Sequence, residues 1–141
     1  MRISSWRGLA ATLTIALLAS LGTAVAEERI NDTISDVEVR NSEGTTQIVL
    51  RGAQEPIYTA FMREDPPGLV VELYDVTFEG LVSPLEVRDG NVEAIAFGAV
   101  GDGEIGAVLG RMTVGLSQDS DYEVIPTRDE VVVKVWPRNF E

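Results

Sequence analysis

Two short stretches place an aromatic ring two residues beyond a charge, on the same side of an extended chain. They are Glu72 with Tyr74 and Lys134 with Trp136. A ring beside a charge can stack on a sugar while the charge hydrogen-bonds hydroxyl or peptide groups. The competing reading is that the rings cover a sheet edge, since single exposed apolar residues need no functional explanation. Other chemistry is scarce. The chain has no His and no Cys, which removes Ser-His-Asp triads, Cys-His dyads and histidine-ligated zinc. Its 23 acids offer carboxylate pairs, but no pair is set apart from the others by its spacing. No catalytic residue, metal site or cofactor is therefore expected.

Three motifs are weighed and set aside. Gly101-Asp102-Gly103-Glu104-Ile105-Gly106 fits the dinucleotide fingerprint, which must open a helix inside a βαβ unit. Here Ala107 to Gly110 leads into an alternating strand, so a hairpin loop is the reading. Asp119, Asp121, Glu123 and Glu130 fall at calcium-loop spacing. An EF-hand needs Gly at the sixth position and helices on both sides, whereas Val124 stands there and the flanks read as strands. Asn31-Asp32-Thr33 is a three-residue sequon and carries no weight alone.

The elements that would position the aromatic–charge pairs are strands, because apolar residues recur at every second position. Val37 and Val39, Ile48 and Leu50, Leu69 with Val71 and Leu73, Met112 with Val114 and Leu116, and Val131 with Val133 and Val135 all follow this period. Turn signals separate them, among them Asn41 to Gly44, Asp65 to Gly68, Arg88 to Asn91 and Arg128 to Glu130. The pattern predicts an all-β fold, a small sandwich of two antiparallel sheets.

A weak internal repeat runs through it. Thr46 to Leu50, then Tyr58, then Gly68 to Leu73 are answered by Arg111 to Leu116, Tyr122 and Glu130 to Val135. Each copy opens with another strand, Ile34 to Arg40 and Val92 to Phe97. Thr77 to Asn91 reads as the crossover. Two pseudo-symmetric halves are expected.

The N-terminus carries Arg2 and Arg7, then an uncharged run from Leu9 to Leu21, then Ala24-Val25-Ala26. Positive end, apolar run and small-residue exit make a signal peptide over residues 1–26, cleaved after Ala26. The apolar run is too short to cross a bilayer, which takes about 20 residues. Without Cys no lipid anchor follows, so membrane contact is expected only through the cleaved signal. Removing 26 of 141 residues leaves a chain of single-domain size. The net charge of −12 loses two arginines and no acid, and becomes −14. Such a surface repels nucleic acid. Residues 27–32 are expected to be a flexible start, 33–137 the domain and 138–141 a tail.

In order, these pieces resemble the AMIN domain, found in the periplasmic N-terminal parts of bacterial cell-wall amidases and type IV pilus secretins. Pro66-Pro67-Gly68-Leu69-Val70-Val71-Glu72-Leu73-Tyr74 is similar to the first-half motif. Val92 to Gly98, Arg111 to Leu116, Asp119 to Tyr122 and Val131 to Trp136 look like the second half. Gly68 stands where the family commonly has Arg, Glu72 where it has Asp, and Gly115 where an acid is frequent, while Arg111 matches. The resemblance implies a non-catalytic, peptidoglycan-binding domain in the periplasm of a Gram-negative bacterium, serving pilus or envelope assembly. The ligand-binding candidates are Glu72, Tyr74, Arg111, Lys134 and Trp136. A protein–protein adaptor that docks a secretin or another envelope protein is the alternative.

Overall fold

The computed structural model describes residues 31–101 and 108–139, and every regular element in it is a strand. The first half contains β1 (Asp32–Ile34), β2 (Asp36–Ser42), β3 (Thr45–Arg51), β4 (Tyr58–Glu64) and β5 (Pro67–Tyr74). The connection carries β6 (Val76–Phe78) and β7 (Leu85–Glu86). The second half contains β8 (Val92–Val100), β9 (Leu109–Leu116), β10 (Ser120–Pro126) and β11 (Glu130–Pro137). One antiparallel sheet runs β10-β11-β3-β2 and the other β4-β5-β9-β8-β7. A short parallel pair, β1 with β6, is added to them.

The sheets face each other through the side chains that alternate inward. Ile48, Leu50, Val131, Val133 and Val135 come from the four-stranded sheet, and Leu69, Val71, Leu73, Met112 and Val114 from the five-stranded one. All of them are fully buried in one core. Burying each such side chain stabilises the fold by roughly 1.5–3 kcal/mol, and no disulfide shares that task. The expected all-β sandwich of two antiparallel sheets is the fold observed.

The two halves are related by the sheet order itself. Exchanging β2, β3, β4 and β5 with β8, β9, β10 and β11 turns the order β10-β11-β3-β2 into β4-β5-β9-β8. The registers agree with this exchange. Lys134 lies opposite Gln47 and Glu123, as Glu72 lies opposite Arg111 and Thr59. Tyr58 faces Leu73 across its pair, as Tyr122 faces Val135. Glu72 is therefore the counterpart of Lys134, and Tyr74 of Trp136.

Four details go beyond the sequence pattern. β4 and β10 are complete strands where the sequence marks only a tyrosine each. The crossover contributes β6 and β7, and β1 begins at Asp32, one residue before the expected domain start. The other is a polar staple between the sheets. Asp89 accepts hydrogen bonds from Thr46 Oγ1 at 2.5 Å and Asn41 Nδ2 at 3.0 Å. Buried Asn91 donates to the Val135 carbonyl at 3.1 Å and accepts from Ser120 Oγ at 3.0 Å. The loop before β8 is thus tied to β3 and β11, directly beside Trp136.

Candidate functional site

On the outer face of the four-stranded sheet, period-two alternation sends Lys134 and Trp136 away from the core. Register brings Gln47 and Glu123 to either side of Lys134. With Ser42 and Thr45 these residues line an open depression of about 470 Å³. Lys134 lies directly across from Glu123 yet forms no ion pair among the described residues, and both its neighbours along the row are hydrogen-bonding groups. The depression combines an indole ring, an ammonium, an amide, a carboxylate and two hydroxyls. That set can stack on a pyranose ring and satisfy the hydroxyls, amides and carboxylates around it.

The outer face of the five-stranded sheet holds the other three candidates. Arg111 donates to Glu72 Oε2 from Nη2 at 2.6 Å and from Nε at 2.9 Å. Thr59 Oγ1 lies 3.4 Å from Glu72 Oε1. This charge-assisted pair fixes both side chains across β5 and β9. Tyr74 stands at the end of the row and is 41% exposed. It borders a smaller depression of about 190 Å³ with Asp32, Gln54 and Ile57.

The five candidates therefore form two groups. Glu72, Tyr74 and Arg111 share one outer face, and Lys134 and Trp136 share the opposite one. The pseudo-twofold exchange relates the groups with the charge reversed. Sequence reading missed Ser42, Thr45, Gln47 and Glu123, which join the site through cross-strand register. The outward parity of Gln47 was legible, but the pairing that sets these residues beside Lys134 was not.

Electrostatics narrow which cations are free to meet a ligand. Arg40 and Arg51 both bond Glu38, at 2.5 and 2.8 Å, and lower its carboxyl from the ordinary value to about 2. Arg88 pairs with Glu86 and Arg138 with Asp121. Among the described residues, Arg63, Arg128 and Lys134 are the cations without an ion pair. Burial opposes the charge of Asp89, but hydrogen bonds from Thr46, the Val92 and Asn91 amides and Asn41 outweigh it and hold its carboxyl below the usual range.

The rejected motifs have plain structural outcomes. Asp119 to Glu130 spans the β10–β11 hairpin, with Asp121 tied to Arg138 at 3.2 Å. Among the described residues no three acids converge on a point that could hold a metal ion. Past Gly101 the glycine-rich motif lies outside the described residues, as do the signal segment and its cleavage site. At Gly68, the guanidinium of Arg63 crosses from β4, and a Cβ built there would lie 3.0 Å from Arg63 Nη2.

A two-sheet, pseudo-symmetric sandwich with open polar–aromatic outer faces is thus the class of domain in hand. The chain belongs to the AMIN domain family, whose model matches residues 36–135. That family comprises non-catalytic binding domains known from periplasmic, peptidoglycan-binding amidases and secretins. No curated protein matches the chain.

Proposed function

We propose that the protein is an exported, periplasmic, non-catalytic domain that binds peptidoglycan and localises envelope machinery of the pilus-secretin or wall-amidase kind. The observation that carries this reading is the depression in which unpaired Lys134 stands beside Trp136, Gln47 and Thr45. Trp136 stacks on a sugar of the glycan strand, and Lys134 meets a carboxylate or carbonyl of the attached peptide. Tyr74, beside the Glu72–Arg111 pair, offers a second contact on the opposite face. A net-acidic domain gains nothing from bulk attraction to an anionic wall, so affinity rests on local stacking and hydrogen bonds and depends little on salt. The test is co-sedimentation of the purified protein with insoluble peptidoglycan sacculi. Retention that drops in Trp136→Ala supports the reading, and a protein that stays in the supernatant at low salt refutes it.

A protein–protein adaptor is the second reading, favoured by Ile57, Phe61 and Tyr74, which are 74%, 47% and 41% exposed along one side of the β4–β5 pair. Capture of an envelope protein that is lost in Phe61→Ser, with no retention by sacculi, would select it.

A further inference from the structure

The strands at the sheet edges are not guarded alike. An edge strand presents unpaired N–H and C=O groups, and proteins blunt such edges with charges, prolines or a covering segment. In β2, Asp36, Glu38 and Arg40 are tied in ion pairs with one another or with Arg51. β8 is covered by β7 at Ala94 and Ile95, and beyond it Ser83 Oγ bonds both the N–H and the C=O of Phe97, at 2.9 and 3.3 Å. β10 ends in Pro126, which has no N–H to offer. β4, the counterpart of β10, has Met62 at the equivalent position. It runs from Tyr58 to Glu64 without a proline, a bulge or, among the described residues, an ion pair of its own.

The register shows which groups of β4 are open. The Tyr74 N–H donates to the Ile57 carbonyl at 2.9 Å, so the positions bonded to β5 are Ile57 and then Thr59, Phe61 and Arg63. The N–H and C=O groups of Tyr58, Ala60, Met62 and Glu64 point the other way, to the open edge. Among the described residues only the Ala60 carbonyl has a partner there, the Tyr122 hydroxyl at 3.2 Å, and a carbonyl oxygen keeps a second lone pair. Exposed rings stand on both sides of this edge, Phe61 outward and Tyr58 inward. Its charge is one-sided. Glu55 precedes the strand and Glu64 and Asp65 close it, none of them in an ion pair among the described residues. The strand's one cation, Arg63, turns back over β5. Its Nε donates to the Pro66 carbonyl at 3.1 Å, and its Nη2 lies 3.0 Å from the Cβ position of Gly68.

We infer that β4 is a docking edge for an extended segment of a partner protein, one with alternating apolar residues and basic residues at its ends. The partner's backbone completes the ladder at Tyr58, Ala60, Met62 and Glu64. Its apolar side chains cover Phe61 and Tyr58, and its cations meet Glu55, Glu64 and Asp65. A second copy of this chain is a poor occupant. Antiparallel self-pairing centred on Phe61 brings Glu64 and Asp65 of one copy towards Glu55 of the other, and each copy is already net negative. The inference rests on the adaptor reading, to which it gives a mode of docking and a partner chemistry. Wall binding on the outer face of the four-stranded sheet neither requires nor excludes it.

The experiment is an NMR titration of the purified protein, with amide hydrogen exchange, against three short peptides that alternate valine and threonine. One has arginine at each end, one has glutamate at each end, and one has the arginines and a central proline. The arginine-ended peptide is expected to slow exchange at Tyr58, Ala60, Met62 and Glu64. Thr59, Phe61 and Arg63, whose N–H groups already face β5, should change little, an alternation that a side-chain contact alone would not produce. It should bind at least about tenfold more tightly than the other two. Met62→Pro removes one open N–H, with the residue that β10 carries at the equivalent position, and should weaken binding about tenfold or more. Glu64→Gln combined with Asp65→Asn keeps the ladder and should reduce only the preference for arginine over glutamate ends. Protection without the alternation, equal binding of the arginine-ended and glutamate-ended peptides, or no binding of the arginine-ended peptide at low-millimolar concentration would overturn the inference. Capture of an envelope protein that is lost in Phe61→Ser but intact in Met62→Pro would sink the edge mode and leave the adaptor reading standing.

Discussion

Tyr74 and Trp136 hold equivalent positions in the two halves of the domain, each two residues beyond the charge at the centre of its outer face, yet they point to opposite sides of the sandwich. One ligand chain crossing a single face meets one ring and not the other. Trp136→Ala is therefore expected to lower sacculus retention about tenfold or more, because ring stacking and the Lys134 contact act on the same face. Tyr74→Ala should lower it less. The double variant should lose the product of the two effects, as distant sites act independently. Sedimentation at a series of sacculus concentrations reads all three.

The Glu72–Arg111 pair predicts a different response. Arg111 is held by two hydrogen bonds to one carboxylate oxygen, but the pair is open to solvent on the guanidinium side. A double-mutant cycle with Glu72→Gln and Arg111→Gln should give a coupling of about 0.5–1 kcal/mol by urea denaturation, within the range of exposed pairs. In the sacculus assay Arg111→Ala should act more weakly than Lys134→Ala, because Arg111 has a protein partner to leave before it meets a ligand and Lys134 has none.

Gly52 tests how the short parallel pair is fastened. Its φ is +127°, and a Cβ built there would come 2.2 Å from the carbonyl oxygen of Thr33 in β1. Neither the backbone conformation nor the backbone neighbour can yield cheaply. Gly52→Ala should cost about 2–3 kcal/mol and lower Tm by roughly 10 °C, while Gly90→Ala, with open space around its Cβ position, should cost less. A thermal melt of both variants decides it.

Most of the strands legible in the sequence are flanked on both sides, although the edge strand β2 was legible too, through Val37 and Val39. β3, β5, β9 and β11 occupy the middle of the sheets and bury every inward residue from Ile48 to Val135, so their apolar alternation is clean. β4 and β10 are edge strands with one partner each. Inward Tyr58 is still 37% exposed and outward Phe61 is 47% exposed, which blurs the period in Tyr58–Glu64. Alternation alone would leave one wet face on each strand, but Val49 and Val70, on the outer faces, are almost fully covered. Each lies in a middle strand between side chains of both neighbours, Glu38 and Val132 for one, Phe61 and Thr113 for the other. The parity of Lys134 and Trp136 was readable in the same way. What put Gln47 and Glu123 beside Lys134 is register and sheet order, which no local pattern encodes.

Acid should weaken the fold through Asp89 and Glu38. Both carboxyls sit below their ordinary values in the folded chain, Glu38 at about 2. A depressed carboxyl contributes stability that is fully present above its unfolded pKa of about 4 and is lost as pH falls through the folded value. Stability is therefore expected to be level from neutral pH to about pH 5 and to fall between about pH 4 and pH 2. Asp89 matters more than its exposure suggests, since it satisfies the hydroxyl of buried Thr46 and caps the turn at Asn91 and Val92. Asp89→Ala leaves these donors unpaired and should cost about 1–3 kcal/mol at pH 7. The same variant should flatten the acid limb, because one of the groups that titrates there is gone, while the contribution of Glu38 persists. Urea denaturation midpoints from pH 2 to pH 7 measure both. A variant as acid-sensitive as the parent protein would mean that the staple between Asp89 and Thr46 is not what low pH releases.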